Sequence, residues 1–132
     1  MKIEFITVHG FDTPASMDVT PEHLHQWHVT ENGWRDVGYH WWFDRDAVLH
    51  QGRPDTQQGA GVRGHNPRNL QVGMAGGRPD FNYTGAQLAG LRKLIDSYLA
   101  KFPDAIVKGH RDWGETGKTC PGFDVAEWFY ND

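Results

Sequence analysis

Residues 108–124, KGHRDWGETGKTCPGFD, concentrate the side chains able to do chemistry. Cys120 is the only cysteine of the chain; Lys118 stands two positions before it and His110 ten positions before it. A thiolate and an imidazole separated by a loop can form half of a metal site, and zinc accepts both donors. A third ligand has to come from elsewhere. The best source is His9, which ends the run Ile3-Glu4-Phe5-Ile6-Thr7-Val8 and precedes Gly10. Strand ends and the loops beyond them are where α/β proteins place reactive groups. His9, His110 and Cys120 therefore read as three zinc ligands with a fourth position open, the arrangement of a catalytic site. A buried, inert cysteine is the competing reading. The flanking glycines, the nearby His110 and the strand-end His9 tilt the balance toward zinc.

The elements that must position these residues follow from pattern. Residues 3–9 carry apolar side chains on both faces, as an interior strand does. Thr20 with Pro21 opens a helix expected to run to Glu31 and to stop at Asn32-Gly33. Residues 37–43 alternate and predict a strand, with Val37, Tyr39 and Trp41 on one face, and 47–50 a short strand pairing back. Residues 51–68 are rich in Gly, Gln, Pro and Arg and predict a long binding loop. Leu70, Val72 and Met74 alternate as a strand stopped by Gly76-Gly77. Thr84 to Gln87 has the form of a capping box. The helix it opens bears a stripe of Leu88, Leu91, Leu94, Ile95, Tyr98, Leu99 and Phe102 and ends at Pro103. Residues 105–107 form a last strand leading to His110, and Asp124 with Glu127 caps a final helix. The order is that of an α/β fold in which a mixed central β-sheet is flanked by helices on both faces. Residues 1–132 read as one domain, with no repeat and no linker.

The chain has 132 residues, with a formal charge of -4, eight histidines and six tryptophans. The mean hydropathy is -0.67, and no apolar run reaches the roughly 18–20 residues of a membrane span. A membrane partner is therefore not expected. Basic residues do not cluster, which argues against nucleic acid as a partner. One cysteine cannot make an internal disulfide, consistent with synthesis in a reducing compartment. The N-terminus runs straight into a strand containing Glu4, so no signal peptide is expected.

The segments Val8-His9-Gly10, Gln26-Trp27-His28, 33–40 (GWRDVGYH) and 118–124 (KTCPGFD) resemble, in order and spacing, the type 2 N-acetylmuramoyl-L-alanine amidases. That family includes phage lysozyme-amidases and is related to peptidoglycan-recognition proteins. The resemblance implies one zinc ion held by His9, His110 and Cys120, with Tyr39 and Lys118 as catalytic residues. It implies hydrolysis of the amide between N-acetylmuramic acid and L-alanine by a phage or prophage endolysin. The substrate would be peptidoglycan or muropeptides, and the protein a monomer made in the host cytoplasm and acting on the cell wall after release. A cytoplasmic muropeptide-recycling amidase and a non-catalytic peptidoglycan-binding module are the alternatives; Cys120 speaks for an enzyme. Some phage relatives also bind a phage RNA polymerase, and no surface for that partner is legible here.

The chain departs from the family pattern in the loop. Many relatives carry histidine where Gly61 stands, tyrosine where His65 stands and glycine where Gln71 stands. Gly61, Arg63, His65 and Asn69 are candidate substrate contacts. On this reading Gly61→His alters peptide preference and leaves metal content alone. Trp41, Trp42 and Trp113 are possible groove contacts, at least two of them better explained as core.

Other signals carry less. Gly59 to Gly64 matches a dinucleotide fingerprint but lacks the strand before and the helix after that the motif needs. His110-Arg111-Asp112 echoes a kinase catalytic loop in a chain too short to be a kinase. His23, His25 and His28 do not share a helix face; His28 is expected to pack against Trp27 or the sheet, the other two to be solvated. His40 is expected to be structural, and Glu115 is a weak candidate for a supporting or basic role.

Overall fold

In the computed structural model of the chain, residues 2–33, 37–78, 82–114 and 120–131 are described. Strand β1 (Phe5–Gly10) lies between β5 (Asn69–Met74) and β7 (Ile106–Gly109), parallel to both. Strand β3 (Trp41–Phe43) runs parallel to β5 on its other side, and β4 (Leu49–Gln51) closes the edge antiparallel to β3. The sheet order is β4-β3-β5-β1-β7. A two-residue pairing of β2 (Thr13–Pro14) with β6 (Gly77–Arg78) forms a separate small sheet.

The alternation of β1 and β5 sorts the two faces. Ile6, Val8, Leu70, Val72 and Met74 point to one side and join Leu91, Ile95 and Tyr98 of helix α2 (Gly85–Lys101) and Val125 of helix α3 (Val125–Tyr130) in the main core. Their neighbours Thr7, His9, Asn69 and Gln71 point to the other side and are also buried. That second face is covered in part by Val19, Leu24 and Trp42, with Phe11, Val37 and Tyr39 packed against them. Leu24 belongs to helix α1 (Pro21–His25), so helices do lie on both faces.

Local signals explain the helix ends. The Thr84 hydroxyl accepts from the Gln87 backbone N–H while the Gln87 side chain accepts from the Thr84 N–H, the reciprocal cap read from the sequence. Thr20 caps α1 with His23 as its reciprocal partner, and Pro21 occupies the first turn. After His25 the coil widens into a π-helical turn over Gln26–Glu31. Gly33 then adopts φ 71°, the left-handed conformation that ends helices. The Asp124 side chain accepts from the Glu127 N–H at the start of α3.

Two expectations about the middle of the chain are corrected. The strand predicted over 37–43 is regular only over Trp41–Phe43. At 38–40 only the His40 N–H reaches β5, donating to the Gln71 carbonyl; Gly52 and Arg53 N–H donate to the carbonyls of His40 and Tyr39, and Ala60 N–H donates to that of Gly38. Tyr39 and Trp41 consequently do not share a face; Tyr39 packs in the second cluster and Trp41 against the main core. His23 is not simply solvated either. Its ring stacks on Trp27 at 6.0 Å, and its Nδ1 accepts from the Thr20 N–H.

Candidate metal centre

His9 stands near the C-terminal end of β1, and His110 follows β7 directly as the first residue of a 3-10 turn, His110–Trp113. Because β1 and β7 are parallel neighbours, both imidazoles lie at the same end of the sheet, where the strands terminate, with ring centroids 4.7 Å apart. Cys120 is brought alongside by backbone contacts. The Gly10 N–H donates to its sulfur at 3.1 Å, and the Arg111 N–H donates to its carbonyl at 2.8 Å. Tyr83 holds the next residue, its hydroxyl donating to the Pro121 carbonyl at 2.7 Å. One donor atom each from His9, His110 and Cys120 lies within 4.8 Å of the others.

The electrostatics suit a cation. Burial, then the neighbouring His110, lower the pKa of His9 to about 3. The ring is therefore neutral at physiological pH and keeps a lone pair to offer. The Cys120 sulfur sits against the Gly10 backbone, 3.1 Å from its nitrogen and 3.4 Å from its carbonyl oxygen. Two imidazoles and a cysteine sulfur form a donor set that zinc takes readily.

Tyr39 borders this cluster. Its ring stacks on Phe11 at 5.5 Å and lies 5.1 Å from the His9 ring and 5.2 Å from that of His28. Gly73 makes the room: a Cβ there would come within 3.1 Å of the Tyr39 ring and overlap Phe11. Burial, then the charge of Cys120, push the Tyr39 phenol upward, so it stays protonated. His28 takes its place beneath Tyr39, its Nδ1 accepting from the Gly38 N–H at 2.9 Å. Lys118 and Glu115 lie outside the described residues.

The loop candidates separate. His65 is half-buried and stacks on Trp113 at 4.5 Å, while Arg63 is exposed. Asn69 is fully buried; its Oδ1 accepts from Thr7 and its amide donates to the His65 carbonyl. It holds the loop to the sheet and has no surface for a substrate. Gly61 lies against the His-His-Cys cluster: a Cβ there would overlap the Gln71 amide oxygen and come within 2.8 Å of His9 Nε2. A side chain at position 61 would have to displace the tip of Gln71 or of His9. Of the tryptophans, Trp42 is core and Trp41 donates to the Tyr98 hydroxyl at 2.7 Å. Trp113 faces the site side and donates to the Thr7 hydroxyl. His40 is structural, bonded to Gln57 and to the Gln71 backbone. Gln71 was legible only as a departure from the family pattern. Its signal was a polar amide inside the apolar run 70–74.

The α/β sheet thus carries a His-His-Cys cluster beside the C-terminal ends of β1 and β7. The family model described as N-acetylmuramoyl-L-alanine amidase matches residues 1–123, and the chain belongs to that family. It is 36% identical to the endolysin of Enterobacteria phage T3 over 131 residues, 96% of this chain and 85% of that protein. The endolysin of Escherichia phage T7 is 36% identical over 129 residues, 94% of this chain and 83% of that one. Among solved structures, the N-acetylmuramoyl-L-alanine amidase LysC from Clostridium intestinale superposes with a TM-score of 0.83 at 22% identity. That match covers 98% of this chain and 86% of LysC.

Proposed function

We propose that this phage-endolysin-type amidase is a zinc-dependent hydrolase that cleaves the bond between N-acetylmuramic acid and L-alanine in peptidoglycan. The observation that carries the reading is the approach of three donor atoms to within 4.8 Å in a chain of this family. His9, His110 and Cys120 would hold one zinc ion. When bound, zinc supplies an acidified water and a polarised scissile carbonyl. Tyr39, kept protonated by burial, donates a hydrogen bond toward the reacting oxygen or a proton toward the leaving amine. The ammonium of Lys118, two residues from a proposed ligand, stabilises the oxygen on which charge develops. Arg63 and His65 border the groove and contact the peptide. Residues 1–132 act as one amidase domain and as a monomer on the cell wall.

Digestion of purified peptidoglycan followed by mass spectrometry tests the reaction. New L-alanine amino termini with intact glycan strands are expected, together with about one zinc per chain. Cys120→Ser should lose most of the metal and the activity. New reducing ends without new amino termini, or full zinc occupancy in Cys120→Ser, would overturn the assignment.

A further inference from the structure

We infer that Gln71 is a positioning residue that fixes which nitrogen of His9 faces the metal. The inference rests on the metal site proposed above and adds a residue to it.

The observations form a chain. Gly61 and Val62 both donate their backbone N–H groups to Asn66 Oδ1, each at 2.9 Å. Two backbone donors identify that atom as the amide oxygen, because an NH₂ group there would oppose them. Asn66 Oδ1 in turn faces Gln71 Nε2 at 3.5 Å. The bond is long, yet it selects one orientation: the flipped Gln71 amide would set oxygen against oxygen. Gln71 Oε1 is thereby turned to His9 Nε2 at 2.6 Å. An amide oxygen only accepts, so the hydrogen of the neutral imidazole sits on Nε2. The unprotonated nitrogen is then Nδ1, which carries the lone pair for the cation. Outer hydrogen bonds of this kind fix the tautomer and ring orientation of metal-binding histidines.

The surroundings keep Gln71 in place. It is fully buried on β5, pairing with Thr7 of β1 on the face that also carries His9. Its backbone N–H donates to His40 Nδ1 at 2.9 Å. Gly61 is the complementary half, since any Cβ there would occupy the space of the Gln71 oxygen. Together Gly61, Asn66 and Gln71 tie the loop backbone to the orientation of one imidazole.

Two-bond proton–nitrogen NMR on histidine-labelled protein reads the tautomer, as purified and again after zinc loading. His9 should carry its hydrogen on Nε2 in both. Gln71→Leu keeps the side chain's bulk and removes the acceptor; zinc affinity, measured by chelator competition, should fall roughly 10–100-fold. Gly61→Ala, which displaces the Gln71 oxygen, should weaken zinc in the same direction. A hydrogen on Nδ1 of His9 in the parent protein overturns the inference even if the variants fail to fold. So does an unchanged zinc affinity in folded Gln71→Leu. A parent protein that binds no zinc would instead refute the metal site itself, while the tautomer reading would still decide the role of Gln71.

Discussion

A phenol wedged among Phe11, His9 and His28 has little freedom to turn. Removing its hydroxyl therefore changes chemistry more than packing. Tyr39→Phe is expected to fold, to keep its zinc and to lose on the order of 10²–10⁴ in kcat. Lys118→Met should likewise keep zinc and lose about 10²–10³. Both losses should fall mainly on kcat, because the contacts strengthen as charge develops in the transition state. Zinc content, melting temperature and kcat measured together check this; normal turnover with normal zinc in either variant would remove that residue from the chemistry. The residue scale also shows where reading a sequence stops. His9 and His110 stood out by type and by their places at strand ends, and Cys120 as the single thiol in the loop beyond. Gln71 did not, because its role depends on a contact spanning 62 positions and on the orientation of Asn66.

At the scale of elements, the π-helical turn of Gln26–Glu31 carries His28 onto the segment before β3. Burial, then the positive charge of Arg53, lower the pKa of His28 to about 4. Its Nδ1 accepts from the Gly38 N–H, so a proton on that nitrogen would set two donors against each other. A folded-state pKa below the ordinary histidine value of 6.5 means that the unfolded chain binds the proton first. The contribution of His28 to stability is thus complete above pH 6.5 and lost as pH falls toward 4. Thermal melts of His28→Gln across that window should show a shallower acid loss than the parent; parallel curves would remove His28 as a source of it. The capped helix ends were legible because Thr20, Thr84 and Asp124 act on residues three positions away. The strand over 37–40 was misread because most of its backbone partners, His40 N–H to Gln71 aside, lie in the loop at 52–60, and alternation reveals no such partner. The pairing of Thr13–Pro14 with Gly77–Arg78 spans two residues on each side, too few to leave a pattern.

For the whole molecule, the division of the sheet into two faces separates stability from chemistry. The main core, with Ile6, Val8, Leu70, Val72 and Leu91 fully buried, contains none of the proposed ligands. Among the described residues no buried side-chain nitrogen or oxygen lacks a hydrogen-bond partner. Metal removal should therefore leave the fold standing, unlike that of a zinc finger, which folds only around its ion. Chelation is expected to preserve the far-ultraviolet circular dichroism and to lower the melting temperature in a way that zinc restores in proportion to its concentration. Unfolding on chelation would show that the ion, not the core, holds the sheet together.

The first strand of the chain is also an interior strand of the sheet, with β5 on one side and β7 on the other. His9 is therefore made early and its companions late. During synthesis β1 can pair with β5 once residue 74 is available, but its other side stays open until β7 has been made, because non-local strand pairing cannot precede the arrival of its partners. A nascent chain ending before Cys120 lacks one of the three proposed ligands, so the candidate site is complete only after the late residues have been made.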